Sequence, residues 1–195
     1  MKLLNKGLMV LTLATFSLNT IAQKIKISDG DLSVLKGETA VNIEFVYDGQ
    51  SVGKFDSEKE YIQKKTAEYN EKEAGMGDRW AKNWVSDRAS RFEPKFIELF
   101  QENSGMTVKK DAKYTLVFKT LSTEPGYNIM IKRKNAEIDA EVWIVETANR
   151  NKRIATLTVS NAPGRTFGGA DYDTGLRISE AYAVAGKRLG NFIKK

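Results

Sequence analysis

The chain has 195 residues and a formal net charge of +6, with 41% hydrophobic and 29% charged residues. That composition suits one folded domain with a sizeable core and excludes a disordered or collagen-like chain. Cysteine and histidine are both absent. Disulfides, thiol nucleophiles, zinc sites built on Cys or His, and catalytic triads that use imidazole are therefore excluded.

The chain opens with Lys2 and Lys6, followed by an uncharged, mostly apolar run from Gly7 to Leu18 and the small-residue pattern Thr20-Ile21-Ala22. A basic start, a short apolar stretch and small residues at a cleavage point predict an export signal, 1–22, cut after Ala22. The run is shorter than the roughly 20 residues a bilayer-spanning helix needs. The mature chain, 23–195, then forms a single domain with no transmembrane segment. It keeps 29 basic against 25 acidic residues. Export places it in the periplasm or outside a bacterial cell. Export and the interspersed charges argue against nucleic acid as a partner, since such binding needs a one-sided basic stripe.

Ile25 and Ile27 allow an edge strand. Val41, Ile43, Phe45 and Tyr47 alternate with Asn42, Glu44 and Val46, so a strand with one apolar face follows, ending at Asp48-Gly49-Gln50. Ser57-Glu58-Lys59-Glu60 reads as a capping box opening a helix over 58–73. Gly75-Met76-Gly77 breaks it, and Asp78 is placed to cap the next helix. That helix carries Trp80, Trp84, Val85, Arg88 and Phe92 mostly three and four apart, until Pro94 stops or kinks it or starts a new helix at its first turn. Phe96, Ile97, Leu99 and Phe100 add apolar contacts before Asn103-Ser104-Gly105.

From Tyr114 the period becomes two. Leu116 and Phe118 share a side; Tyr127, Ile129 and Ile131 make a further strand after Pro125-Gly126. Ala136, Ile138, Ala140, Val142 and Ile144 then face away from Glu137, Asp139, Glu141 and Trp143. Ala155, Leu157 and Val159 form a shorter strand. After a loop from Asn161 to Gly175, a helix over 176–192 carries Ile178, Ala181, Tyr182, Ala185, Leu189 and Phe192 on one stripe. Sequential strands joined by short turns are antiparallel neighbours. The fold class is therefore α+β, a two-layer sandwich with a mainly antiparallel sheet of four to five strands covered by helices. Phe45, Leu116, Phe118, Ile138, Val142, Leu157, Tyr182 and Leu189 are the expected core.

The C-terminal part also carries Glu124-Pro125-Gly126-Tyr127-Asn128, Glu146-Thr147-Ala148-Asn149, Pro163-Gly164-Arg165, Phe167-Gly168-Gly169, Asp171-Tyr172-Asp173-Thr174-Gly175 and Ile178-Ser179-Glu180-Ala181-Tyr182. Over Tyr114 to Leu189 these strings resemble a family of uncharacterised exported proteins from Bacteroides-like bacteria. The resemblance implies an exported protein, with an architecture similar to small periplasmic modules of outer-membrane assembly and secretion factors. It supplies no catalytic residue and no ligand.

The 161–175 loop is the candidate ligand or partner surface, through Arg165, Asp171, Tyr172 and Asp173. Its glycines permit close backbone approach, and an arginine fork can hold an anionic group. The plainer reading makes it a shaped crossover in which Asp171 and Asp173 fold back onto Arg165 while Asp173 or Thr174 caps the last helix. Its spacing fits no phosphate loop, and an EF-hand count from Asp171 fails at Leu176 and Tyr182, so neither a metal nor a cofactor is expected. Trp80 and Trp84, one turn apart, read first as core; with Trp143 they would otherwise form an exposed patch. Ser86, Ser90, Ser104 and Ser179 have no base partner visible in sequence beyond lysine, and no Ser-x-x-Lys sits at an expected helix start.

Two function classes follow. The leading one is a non-catalytic envelope or secreted protein that binds a partner protein or an envelope component such as a glycan. The alternative is a hydrolase of envelope or extracellular polysaccharide that uses carboxylates such as Glu137, Glu141 or Asp171. A working pair must face a cleft about 5 to 9.5 Å apart, with one acid's pKa raised by burial.

Overall fold

The computed structural model describes residues 24–129, 132–164 and 172–194. The export signal and its cleavage point lie outside them, as do Arg165 and Asp171.

The strands are β1 (Lys24–Gly30), β2 (Ala40–Val46), β3 (Ser51–Val52), β4 (Thr107–Val108), β5 (Tyr114–Glu124), β6 (Tyr127–Ile129), β7 (Lys132–Lys134), β8 (Glu137–Glu146) and β9 (Asn149–Pro163). The helices are α1 (Glu58–Lys72), α2 (Met76–Asp87), α3 (Glu93–Ser104) and α4 (Gly175–Ile193). The fold is α+β, as the change of period at Tyr114 predicts.

The sheet is larger than expected and mixed. Seven strands run in the order β1-β9-β8-β5-β2-β4, with β3 also paired to β5. β5, β8, β9 and β1 pair antiparallel, whereas β2 joins β5 in parallel, Phe45 opposite Phe118. The connection decides this. Three helices separate β2 from β5, and a crossover of that length returns the chain to the same end of the sheet. β6 and β7 do not extend the sheet. They pair only with each other as a two-stranded hairpin between β5 and β8. The third strand expected over 127–131 is thus the first arm of that hairpin, and Ile131 lies outside the described residues. β9 is longer than the short strand read around Leu157, because its polar first residues continue the ladder to β8.

Ser57 caps α1 as the sequence predicts, its Oγ accepting from the Glu60 N–H at 3.3 Å. Asp78 does not cap α2. Gly75, at φ 76°, occupies that position, and Asp78 lies in the first turn. A three-residue reversal needs the left-handed conformation one residue before the helix, which glycine adopts without strain. Pro94 opens a new helix at its first turn, the second of the two places its sequence position allows, and it does not stop the chain's helical course. α2 passes through a π-turn at Arg88–Phe92 into α3, with Pro94 in its first turn. The wider turn gives room where the proline ring would otherwise meet the carbonyl four residues back.

All the helices cover one side of the sheet, and α3 and α4 pack against each other there. Leu116, Phe118, Ile138, Val142, Leu157 and Leu189 are 0% exposed and Tyr182 1%. Phe45 is only half-buried. β4 pairs with Ala40 and Val41 alone, so at Phe45 the sheet has already reached its edge. Its ring still meets Phe96 edge-on at 5.3 Å, and Phe96 meets Phe118 at 4.7 Å. Among the described residues no helix is long and apolar enough to cross a membrane.

Candidate functional site

Tyr172 and Asp173, the two described members of the predicted site, sit at the start of α4 against α2. The Tyr172 hydroxyl donates to the Met76 carbonyl at 3.2 Å, and its ring meets Tyr69 edge-on at 5.1 Å. Asp173 does not cap α4 through its side chain. Its Oδ1 accepts from Arg91 Nη1 at 2.6 Å. The same guanidinium reaches Asp87 Oδ1 from Nε at 3.1 Å. One cation thus lies between two carboxylates, one from α2 and one from the end of the 161–175 loop. Trp80, Asn83 and Trp84 complete a cleft of about 200 Å³ around them.

The two carboxylates differ in environment. The Asp87 side chain is 12% exposed, against 44% for Asp173 and 41% for Arg91. Burial pushes the Asp87 carboxyl above its ordinary range; Arg91 opposes that and Asp173 adds to it. The hydrogen bond that Arg91 donates to Asp173 holds the guanidinium proton more firmly than usual. Gly175 makes the approach possible, since a Cβ there would lie 1.9 Å from Asp87 Oδ2. The chemistry on offer is anion exchange. A planar fork is seated on a buried acid and covered by a solvent-facing one.

The sequence reading missed Arg91 and Asp87. Their one-turn spacing is a visible ion-pair signal, but nothing local announces that Asp173, 82 residues on, completes the set. Arg177 was missed as well, although it stands in line with Ala181, Ala185 and Leu189 on the apolar stripe of α4. It is 0% exposed and donates to the carbonyls of Pro125 and Gly126, each at 3.4 Å. It therefore ties the start of α4 to the turn that leads into the β6–β7 hairpin.

The tryptophans do not form one patch. Trp80 and Trp84 are buried, packed with Tyr61 and Tyr69. The Trp84 indole N–H donates to Glu58 at 2.6 Å, and Gln50 and Arg88 donate to the same oxygen. Arg88 stacks on Tyr47 at 4.3 Å rather than on a tryptophan. This network is filled, with a cavity of only about 10 Å³, and it braces α1, α2 and the β2–β3 turn. Trp143 lies on the other side of the sheet, half-buried, with Arg153 3.7 Å over its ring.

Glu137, Asp139 and Glu141 of β8 stand on that same open face, and two of them hold hydrogen bonds. Glu141 accepts from Trp143 and Arg153. Asp139 accepts from Ser122 and from the Asn161 N–H, both at 2.8 Å. Burial, with Asp139 nearby, raises the Glu137 carboxyl above its ordinary range. Alternate residues on a strand are about 6.5 to 7 Å apart, so Glu137 and Glu141 are about 13 Å from each other, too far to act as a pair, while Asp139 between them stands about 6.5 to 7 Å from each and is taken up by Ser122 and Asn161. Asp171, the other acid considered, lies outside the described residues. Ser86, Ser90 and Ser179 donate to backbone carbonyls, and Ser104 accepts from the Met106 N–H. Among the described residues no group of three or more acids converges as a metal site would require.

No protein-family model matches the chain. No curated protein matches it either. Among solved structures, two crystal forms of the PelC dodecamer from Paraburkholderia phytofirmans are similar in part. One is 9% identical, with a TM-score of 0.38, covering 84% of this chain and 97% of that one. The other is 8% identical at the same TM-score, covering 84% and 96%. A likeness of that size carries nothing about role.

Proposed function

We propose that the protein is an exported bacterial envelope component, of the kind its C-terminal strings resemble, that binds an anionic group of a partner protein or envelope component in the Arg91 cleft. The reading in favour of export rests on the basic start, the short apolar run and Thr20-Ile21-Ala22. The observation that carries the binding role is the unequal pair of acids on Arg91. A pair as exposed as Arg91–Asp173 contributes about 0 to 1 kcal/mol, so an incoming carboxylate or phosphate displaces Asp173 at low cost. The buried Asp87 meanwhile keeps the guanidinium in place.

The test is affinity capture from the native envelope with residues 23–195 as bait, comparing the unmodified chain with Arg91→Gln. The expected result is one specifically retained component that Arg91→Gln loses while its thermal midpoint stays within a few degrees. Capture unaffected by the substitution overturns the assignment of the cleft. Glycan cleavage by the chain, abolished in Asp87→Asn, would support the hydrolase reading instead.

A further inference from the structure

The Arg91 cleft carries more polar groups than a receptor for a bare anion needs. Beside the guanidinium it presents Asp87, Asp173, Asn83 and Thr174. Thr174, the residue before α4, is 6% exposed, and its hydroxyl bonds neither to that helix nor to any other described residue. Among the described residues the buried side-chain polar atom without a partner is Thr66 Oγ1. The Thr174 hydroxyl is therefore open to solvent, and the cleft is the opening that Thr174 lines. The Asn83 amide, exposed, adds donors and an acceptor. A carboxylate or a fully ionised phosphate only accepts hydrogen bonds, and so do Asp87 and Asp173. A bare anion in this cleft would face two acceptors with nothing to donate to them.

We propose that the anionic group bound here is the carboxylate of a sugar, a hexuronic acid unit of a glycan; the inference rests on the Arg91 reading and names its ligand class. The sugar carboxylate replaces Asp173 on Arg91 Nη1, while Asp87 keeps Nε. Asp173 then lacks its counter-charge and needs a donor, which a ring hydroxyl beside the acid supplies. Further hydroxyls reach Thr174 and Asn83, and each of those side chains can donate and accept. The ring's C–H edges meet the margins of Trp80 and Trp84, which line the same cleft. Its volume of about 200 Å³ lies below the roughly 300 to 1,000 Å³ of sites for drug-sized ligands, which suits a single ring. An acidic peptide side chain fits less well. It brings its carboxylate on a methylene stem with no hydroxyl for Asp173 or Thr174, and polar groups enclosed without a partner oppose binding.

Titration of residues 23–195 followed by tryptophan fluorescence tests it, with glucuronate, glucose, N-acetylglutamate and inorganic phosphate as probes. Glucuronate should bind saturably and about tenfold or more tighter than each of the others, because a site that pairs both the acid and the hydroxyls rejects analogues lacking either. Arg91→Gln should weaken glucuronate about tenfold or more, and Thr174→Val and Asn83→Ala about threefold to tenfold each. Val85→Ser, exposed on α2 and outside the cleft, should bind as the parent does. Thermal midpoints are read alongside. Thr174→Val keeps the side chain's shape and removes a hydroxyl that caps nothing, so it should unfold with the parent. Glucose bound as tightly as glucuronate would overturn the proposal, as would glucuronate binding that neither Thr174→Val nor Asn83→Ala weakens. Phosphate or N-acetylglutamate bound as tightly as glucuronate, and lost in Arg91→Gln, would overturn the sugar and leave the Arg91 cleft as an anion site. No glucuronate binding at all would overturn it too, and envelope capture still lost in Arg91→Gln would show the cleft reading standing alone. Glucuronate binding unchanged by Arg91→Gln would overturn both.

Discussion

Gly186→Ala tests the packing of α3 on α4 through the sign of its effect. On helix propensity alone alanine is better than glycine by about 0.8 to 1 kcal/mol, so an exposed site would gain stability. Gly186 is not exposed. A Cβ built there lies 2.3 Å from the Phe96 carbonyl oxygen and 3.0 Å from its carbonyl carbon. Ordinary van der Waals contact begins near 3.4 Å, so α3 must retreat by about 1 Å. The obstacle is backbone and cannot rotate away. Phe96 is 0% exposed and locked by Phe45 and Phe118, so the retreat loosens the aromatic core as well. Overpacking of this kind costs about 1 to 3 kcal/mol, and more where backbone must move. The net expectation is a loss of up to about 2 kcal/mol, or a thermal midpoint lower by up to about 8 °C for a chain of this length. Urea and thermal unfolding followed by the fluorescence of the core tryptophans measure it. Gly190 meets Phe100 in the same way, at 2.7 Å from its oxygen. One shift of α3 relieves both clashes, so the double variant should cost less than the sum of the singles. A midpoint that rises in Gly186→Ala would refute the close helix contact.

Leu189→Ala, at a 0% exposed position, should cost about 2 to 5 kcal/mol in urea denaturation. A change below about 0.5 kcal/mol would place that side chain at the surface. Hydrogen bonds from Arg150, opposed by desolvation, hold the Glu44 carboxyl below its ordinary value. Its contribution is therefore present above the ordinary pKa and lost as pH falls through the lower folded one. Glu44→Gln should lose under about 1 kcal/mol at neutral pH, since the pair is 40 to 44% exposed, and match the parent well below pH 4. Asp87 has the opposite sign. Its folded pKa is raised, so its contribution is present at low pH and is lost as pH rises above the ordinary aspartate range of about 4. Asp87→Asn should remove that decline from the stability-against-pH curve, and a curve unchanged by the substitution would contradict the burial assigned to Asp87.

Short-range spacing along the chain encodes the local elements. The capping box at Ser57, the alternation that buries Ile138 and Val142 while turning Glu137 and Glu141 outward, and the apolar stripe of α4 are patterns within a few residues. Each is enforced by the 3.6- or 2-residue period of one element. Which distant segments meet is settled by packing. β2 lies parallel to β5 because three helices intervene, and no residue in β2 states that direction. Tyr127 and Ile129 alternate like a sheet strand, yet they pair with the next arm, since period two records a strand and not its partner. Arg91 finds Asp173 across 82 residues. The pair exists because Gly175 lets α4 begin against Asp87, and its charges look like any solvated ones until the helices are packed. Local propensity is fixed by neighbours along the chain, whereas pairing and site assembly are fixed by which faces must leave water together.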